Sequence, residues 1–323
     1  AICALDDKLY LLGGCSGDEM LATAECYDTI TGEWNELPDM STARVDATAA
    51  AAYDDQLFVF GGRMSNEEFD SDICTNVDCF DTTTGRWATR TPGPIRHLNC
   101  VALLIESKFY IIGDGRGYWS IECYDPDLDT WTLVHKQHEL RTQFGACAIG
   151  HVIYILGGCE DDMFSTRMDL YDVSTKRYLS TNLPMSMPRS LCAVIPSQPP
   201  YHPFFSRKAF NPSYNSAEAA LGGKIYLVQG EHGKGAFNGV DVFDPNSNTW
   251  STLSSNPMIP RSHHQAVVLD GRLYVLGGVT PNGTVLAHME SYDATTSTWT
   301  ACPRMIERRA DFVAVAFASK IYV

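Results

Sequence analysis

YDTITGEW at residues 27–34, FDTTTGRW at 80–87, YDPDLDTW at 124–131, YDVSTKRY at 171–178, FDPNSNTW at 243–250 and YDATTSTW at 292–299 are copies of one pattern. In each, an aromatic residue is followed at once by Asp, and a second aromatic stands seven positions after the first. The second aromatic is Trp in five copies and Tyr178 in the fourth. The copies begin 44 to 53 residues apart, except for a gap of 72 between Tyr171 and Phe243. A unit recurring at that period marks a repeat architecture.

Working outward, each copy reads as two strands and a tight turn. The aromatic ends one strand, and the Asp opens the turn by accepting from a backbone N–H two residues on. The second aromatic starts the returning strand. Upstream lies a β-rich run ending in glycine: LYLLGG at 9–14, LFVFGG at 57–62, FYIIG at 109–113, IYILGG at 153–158, IYLVQG at 225–230 and LYVLGG at 273–278. Glycine there supplies positive φ and lets backbones approach closely. Before most of these runs sits a small-residue strand, at 47–52, 100–104, 145–149 and 266–269, with another at 313–317. An arginine precedes the small strand in turn: Arg44, Arg96, Arg141, Arg189, Arg261 and Arg308 or Arg309. The unit therefore has four antiparallel strands, and six such units predict an all-β, six-bladed β-propeller.

A double glycine, then Tyr-Asp, then Trp at fixed spacing resembles the Kelch repeat, and the resemblance covers residues 1–323 as one propeller domain. It is closest in kind to the Kelch domains of BTB–Kelch ubiquitin-ligase adaptors. Such domains commonly close by lending a C-terminal strand to the first blade, which would make 313–317 that blade's innermost strand. Residues 2–5 compete for the slot, and a truncated seventh blade is the remaining arrangement. The chain begins inside a repeat and reads as a domain cut from a longer protein. The stretch from about 197 to 218 interrupts the repeat. It is expected to join strands one and two of the fifth blade, or, if 217–221 is the innermost strand, to precede both.

The formal charge is −15 with a pI near 4.9, which excludes a basic nucleic-acid binder. No apolar run approaches the roughly 18 residues of a membrane-spanning helix. The 11 cysteines contain no C-x-x-C pair. Cys26, Cys79 and Cys123 share one repeat position with Leu170, Val242 and Ser291, which reads as a small buried site. Free buried thiols point to a reducing compartment, here the cytoplasm. No H-E-x-x-H or G-x-S-x-G motif occurs, nor the E-x-x-x-D-x-x-x-H run of the iron-binding specifier proteins. Neither an enzyme nor a cofactor is expected.

The resemblance implies a protein or peptide partner bound on the face of the second-to-third-strand loops, at a central funnel. It also implies cullin-3 as a partner through other domains. An actin-binding Kelch protein is the alternative, and a Kelch-scaffold metalloenzyme a more distant one. Positions carried over one by one are those after the arginine (Val45, His97, Thr142, Ser190, Ser262, Ala310). Next come those after the glycines (Cys15, Arg63, Gly115, Cys159, Glu231, Val279). Last are those seven before the aromatic (Met20, Ile73, Gly117, Phe164, Ala236, Val285). Acidic runs at 18–19, 67–72 and 160–162 fall in the same loops, and read either as solvated surface or as a rim steering a basic partner. The third loop, GDGRGYWS at 113–120, adds an arginine and two aromatics, the usual interface anchors. The expected contact residues are Met20, Arg63, Glu67, Glu68, His97, Arg116, Tyr118, Trp119, Thr142, Phe164, Ser190, Glu231, Ser262 and His263.

Overall fold

The computed structural model describes the chain apart from residues 17–18, 46–47, 65–72, 97, 116–117, 139–140, 143, 161–162, 181–183, 186–189, 194–214, 233–234, 258, 313 and 318. Every regular element among the described residues is a β-strand. The chain divides into two compact units, one built on Ala1–Thr142 and the other on Gln143–Gln198 and Asn211–Val323.

The first unit holds three antiparallel blades with strands in chain order. Blade 1 is β1 (Ile2–Leu5), β2 (Lys8–Ser16), β3 (Glu19–Asp28) and β4 (Glu33–Leu37). Blade 2 is β5 (Thr48–Tyr53), β6 (Gln56–Phe60), β7 (Val77–Asp81) and β8 (Arg86–Arg90). Blade 3 is β9 (Leu98–Ile105), β10 (Lys108–Gly115), β11 (Tyr118–Asp125) and β12 (Thr130–Gln137).

The second unit holds the other three. Blade 4 is β13 (Gly145–Ile149), β14 (Val152–Leu156), a small hairpin of β15 (Cys159–Glu160) and β16 (Met163–Phe164), then β17 (Met168–Asp172) and β18 (Arg177–Ser180). Blade 5 is β19 (Ser190–Ala193), β20 (Asn215–Leu221), β21 (Lys224–His232), β22 (Gly235–Asp244) and β23 (Thr249–Thr252). Blade 6 is β24 (Gln265–Leu269), β25 (Arg272–Leu276), β26 (Met289–Asp293) and β27 (Thr298–Cys302), followed by β28 (Val315–Phe317) and β29 (Lys320–Tyr322).

The invariant spacing of the two aromatics has a simple origin: they are cross-strand partners. Tyr27 faces Trp34, Phe80 faces Trp87, Tyr124 faces Trp131, Tyr171 faces Tyr178, Phe243 faces Trp250 and Tyr292 faces Trp299. In the five Trp pairs the ring centroids lie 4.9–5.2 Å apart. Such pairs add to the stability of a sheet beyond simple burial. The Asp of each copy caps the turn as its position implies. Asp81 Oδ1, for example, accepts from the N–H groups of Thr83 and Thr84 at 2.9 and 2.8 Å. Asp28, Asp125, Asp172, Asp244 and Asp293 do the same in their own turns.

These hydrogen bonds favour the ionised carboxylate. Those of Ser174 and Thr175 hold Asp172 down at about 2; Asp28, Asp81 and Asp293 are lowered in the same way, and Asp125 and Asp244 are lowered first by Lys108 and Lys224 and then by their turn N–H groups. A carboxyl depressed in the folded chain stabilises it above the ordinary Asp value of about 4. That contribution disappears as pH falls toward the folded value. Asp172→Asn keeps the acceptor oxygen and removes the charge. It is expected to be less stable than the parent at pH 6, with the gap closing between about pH 4 and 2 in denaturant titrations. A gap independent of pH would remove the charge from this account.

Four of the five repeat tryptophans, Trp87, Trp131, Trp250 and Trp299, are half-buried rather than central core residues, and Trp34 is exposed. Trp87 Nε1 donates to Pro38 O at 2.6 Å, Trp131 Nε1 to Thr91 O at 2.9 Å and Trp299 Nε1 to Ser255 O at 3.2 Å. Each indole thus ties its blade to the link leaving the blade before it. Tyr178, the exception, bonds within its own blade. Its hydroxyl oxygen accepts from Arg167 Nη2 at 3.0 Å, while Arg167 Nε meets Asp169 at 2.8 Å. An indole has no acceptor to offer there.

The apolar core lies between consecutive blades within each unit. One cluster joins Cys3, Leu5, Tyr10 and Leu12 to Leu57, Val59 and Phe80. Others join Phe58 and Cys79 to Phe109 and Tyr124, Cys147 and Tyr154 to Ile225 and Phe243, and Tyr226 and Val240 to Leu273 and Tyr292. Cys26, Cys79 and Cys123 are buried, as their shared position implies. Burial raises the thiols of Cys26 and Cys79.

Two expectations are corrected. The first strand of blade 1 is Ile2–Leu5, paired in register with β2, whereas Val315–Phe317 pairs with Lys320–Tyr322. A two-residue turn at Asp6 and Asp7 makes the β1–β2 hairpin entirely local, so closing it costs little chain entropy. The interruption in blade 5 also differs. Asn215–Leu221 is the strand antiparallel to β21, so residues 215–218 belong to the blade, and Ser190–Ala193 runs parallel beside it as a fifth strand. Parallel neighbours need a crossover of a dozen residues or more. The 21 residues from 194 to 214 supply that length and lie outside the described residues.

Candidate partner-binding face

In two blades the three positions singled out from the sequence are brought side by side. In blade 2, Val45 of the incoming link bridges Arg63, which bridges Ile73. In blade 6, Ser262, Val279 and Val285 form the same three-rung ladder. The rungs are backbone pairs: Val45 and Arg63 exchange both N–H···O bonds at 3.0 and 2.8 Å, and Ser262 and Val279 at 2.9 and 2.8 Å. The second and third positions also pair in blades 1, 4 and 5, as Cys15 with Met20, Cys159 with Phe164 and Glu231 with Ala236. Link and loop thus make a small ladder at one end of the blade, with different side chains on one backbone frame.

That frame is held by the link arginines. Arg44 is fully buried; its Nη1 donates to Gly61 O at 3.1 Å and Asn76 O at 3.2 Å, and its Nη2 meets Asp78 Oδ2 at 2.5 Å. The other Asp78 oxygen accepts from Ser41 Oγ at 2.6 Å. Arg261 repeats the geometry, with Gly277 O at 3.0 Å, His288 O at 3.1 Å and Glu290 Oε2 at 2.6 Å. Only a planar fork of donors satisfies two carbonyls and a carboxylate at once.

Sequence reasoning missed the acidic partner, although its signal is regular. A carboxylate stands two residues before the first aromatic in all six copies: Glu25, Asp78, Glu122, Asp169, Asp241 and Glu290. The last five are buried, and Glu25 is exposed. The ambiguity between Arg308 and Arg309 is also resolved. Arg309 O accepts from Gly278 N at 2.8 Å and Arg309 N donates to Leu286 O, as Arg44 does with Gly14 and Leu21.

Of the expected contact residues, Met20, Arg63, Tyr118 and Thr142 are half-buried at this end of the blades. Lys136 Nζ sits 3.6 Å from the centroid of the Tyr118 ring, a cation–π contact. His263 takes a left-handed backbone at φ 57°, and its Nδ1 lies 2.9 Å from Asp311 Oδ1 on the next link. Phe164, Ser190 and Glu231 are placed by their backbones, on β16, β19 and β21. Glu67, Glu68, His97 and Arg116 lie outside the described residues.

Two candidates are buried instead of presented. Trp119 has no exposed surface and its ring lies 5.5 Å from that of His135. The cause is strand length. β11 and β12 stay paired out to Trp119 and Gln137, so Tyr118 and Trp119 alternate across a sheet rather than sharing a loop. Ser262 is 7% exposed, with its backbone paired to Val279. At the opposite end of blades 2 and 3, a cleft of about 390 Å³ is lined by Tyr53, Asp54, Asp55, Asp81, Arg90 and Asp127, among others, and holds no expected contact residue. Among the described residues no group of three or more His, Cys, Asp or Glu is arranged to hold a metal ion.

The family model described as the KLHDC2/KLHL20/DRC7 Kelch-repeats domain matches residues 1–195, and the Kelch motif model matches residues 213–257 and 260–306. Kelch-like protein 25 of Xenopus tropicalis is 23% identical over 79% of this chain and 40% of its own length. Kelch-like protein 23 of Homo sapiens is 26% identical over 58% of this chain and 33% of its own length. Kelch-like protein terF of Aspergillus terreus is 25% identical over 90% of this chain and 62% of its own length. The chain therefore spans about a third to three-fifths of these relatives. A solved structure titled "Structure of YjhT" superposes with a TM-score of 0.63 at 13% identity, covering 94% of this chain and 96% of that one.

Proposed function

From the premise that the chain belongs to the Kelch-repeat β-propeller family, we propose that it binds a protein or peptide substrate at the blade ends that carry the link–loop ladders. The carrying observation is the ladder itself: Val45, Arg63 and Ile73, or Ser262, Val279 and Val285, share one backbone frame whose side chains differ from blade to blade. A rigid frame with variable side chains is how repeat scaffolds build recognition surfaces. The finer reading is the recognition module of a cytoplasmic cullin-3 ubiquitin-ligase adaptor with no catalysis of its own, cullin-3 being engaged by other domains of the same protein. Its support is the resemblance to BTB–Kelch adaptors and the greater length of the Kelch-like relatives. The loop acidity, including the exposed Glu19, favours a partner with basic as well as apolar residues.

Capture from lysate with the parent domain, against Met20→Asp and Arg63→Glu, tests the first reading. Both variants are expected to lose partner bands that Asp55→Lys, at the other end of blade 2, retains. Equal loss in all three, or in none, would move the surface elsewhere. Co-purification of the full-length protein with cullin-3 tests the second. Its absence would leave the domain an interaction module and remove the adaptor role.

A further inference from the structure

We infer that the link arginines couple neighbouring loops of this face, so that a loop engaged by a partner stiffens the loop of the adjacent blade. The inference rests on the reading of the ladder ends as the recognition face. Arg44 faces two ways. Its backbone belongs to the loop behind it: Gly14 N donates to Arg44 O at 3.0 Å, and Arg44 N donates to Leu21 O at 3.2 Å, the two stems of the blade 1 loop. Its guanidinium belongs to the loop ahead: Gly61 O and Asn76 O are the two stems of the blade 2 loop, and Asp78 begins its return. One residue therefore grips both stems of two consecutive loops.

The arrangement recurs in the second unit. Arg261 holds the stems of the blade 6 loop through Gly277 O and His288 O. Arg309 holds the same loop from behind through Gly278 N and Leu286 O. Loop length is immaterial to this grip, because only stem carbonyls are read. The blade 2 and blade 6 loops differ in length between those stems, yet are clamped alike. Packed, hydrogen-bonded elements of this kind transmit displacement rather than absorb it. Arg44 is accordingly a positioning residue: it places Arg63 and Ile73 without being required to touch the partner.

Arg44→Lys separates this role from plain stability. It keeps a cation for Asp78 but cannot reach both carbonyls of the blade 2 loop. Amide hydrogen exchange on the whole chain is the readout, with no partner present. The expected result is exchange about tenfold faster at Arg63 and Cys74 ahead of the link and at Gly14 behind it. The sheet amides of Tyr10 and Tyr110 and the blade 6 loop should stay unmoved. Acceleration ahead of the link alone would reduce Arg44 to a one-sided anchor and overturn the coupling. So would uniform acceleration through the first unit, or none. Because no partner enters the measurement, failure here leaves the binding face standing. Loss of the binding face would in turn leave the coupling as a property of the fold.

Discussion

Arg261→Met is expected to lower the unfolding free energy by about 3–5 kcal/mol, because it strands Glu290 as an unpaired buried charge. Arg261 has no exposed surface and Glu290 is 2% exposed, so water cannot replace the lost guanidinium without opening the blade. The substitution also removes the Arg261 donor from Gly277 O and leaves His288 O with the Gly277 N–H alone. Denaturant midpoints at constant m-value give the loss directly. The double variant Arg261→Met, Glu290→Leu removes the stranded charge and is expected to recover much of it, as replacing a buried ion pair by apolar residues often does. Equal losses in the single and double variants would mean that carbonyl anchoring, not charge pairing, dominates.

Gly278→Ala is expected to cost about 2–6 kcal/mol, combining two penalties of about one to three each. The residue sits at φ 93°, a conformation that side chains rarely adopt. A Cβ there would also meet Ser262 O at 2.5 Å and His264 Cβ at 2.8 Å, and a ladder carbonyl cannot step aside without breaking its pairing with Val279. Gly271→Ala isolates the first penalty. Its φ is 71° and nothing lies within 4 Å of the new Cβ, so the expected loss is about 1–2 kcal/mol. Comparable losses at the two sites would show that the close approach at Gly278 is relieved by a small shift of the link.

Much of the fold is legible in the sequence because its signals are local. The aromatic-Asp turns, the glycine-ended strands and the six-fold count all rest on residues within about a dozen positions of one another. The hairpins they specify are the hairpins that form. The proposed recognition positions are legible as a set, since each is defined by its offset from a glycine, an arginine or an aromatic. Their joining into ladders follows from that register. The carboxylate two before each aromatic is equally local, but an acidic residue in a strand reads as surface charge until its arginine is placed beside it.

The sequence by itself determined the repeat, the four-strand unit and the end of each blade where link and loop meet. Periodicity of side chains dictates pairing between neighbours in the chain. Only the tertiary structure decided which polar residues are buried and which aromatics are not. Arg261 meets Glu290 across 29 residues of chain, Arg44 meets Asp78 across 34, and Ser190 runs parallel beside Asn215. Trp119 and Trp34 carry the same side chain. One has no exposed surface and the other is 60% exposed, according to what the neighbouring strands place against it. Such outcomes are set by partners distant in sequence, and no local pattern records them.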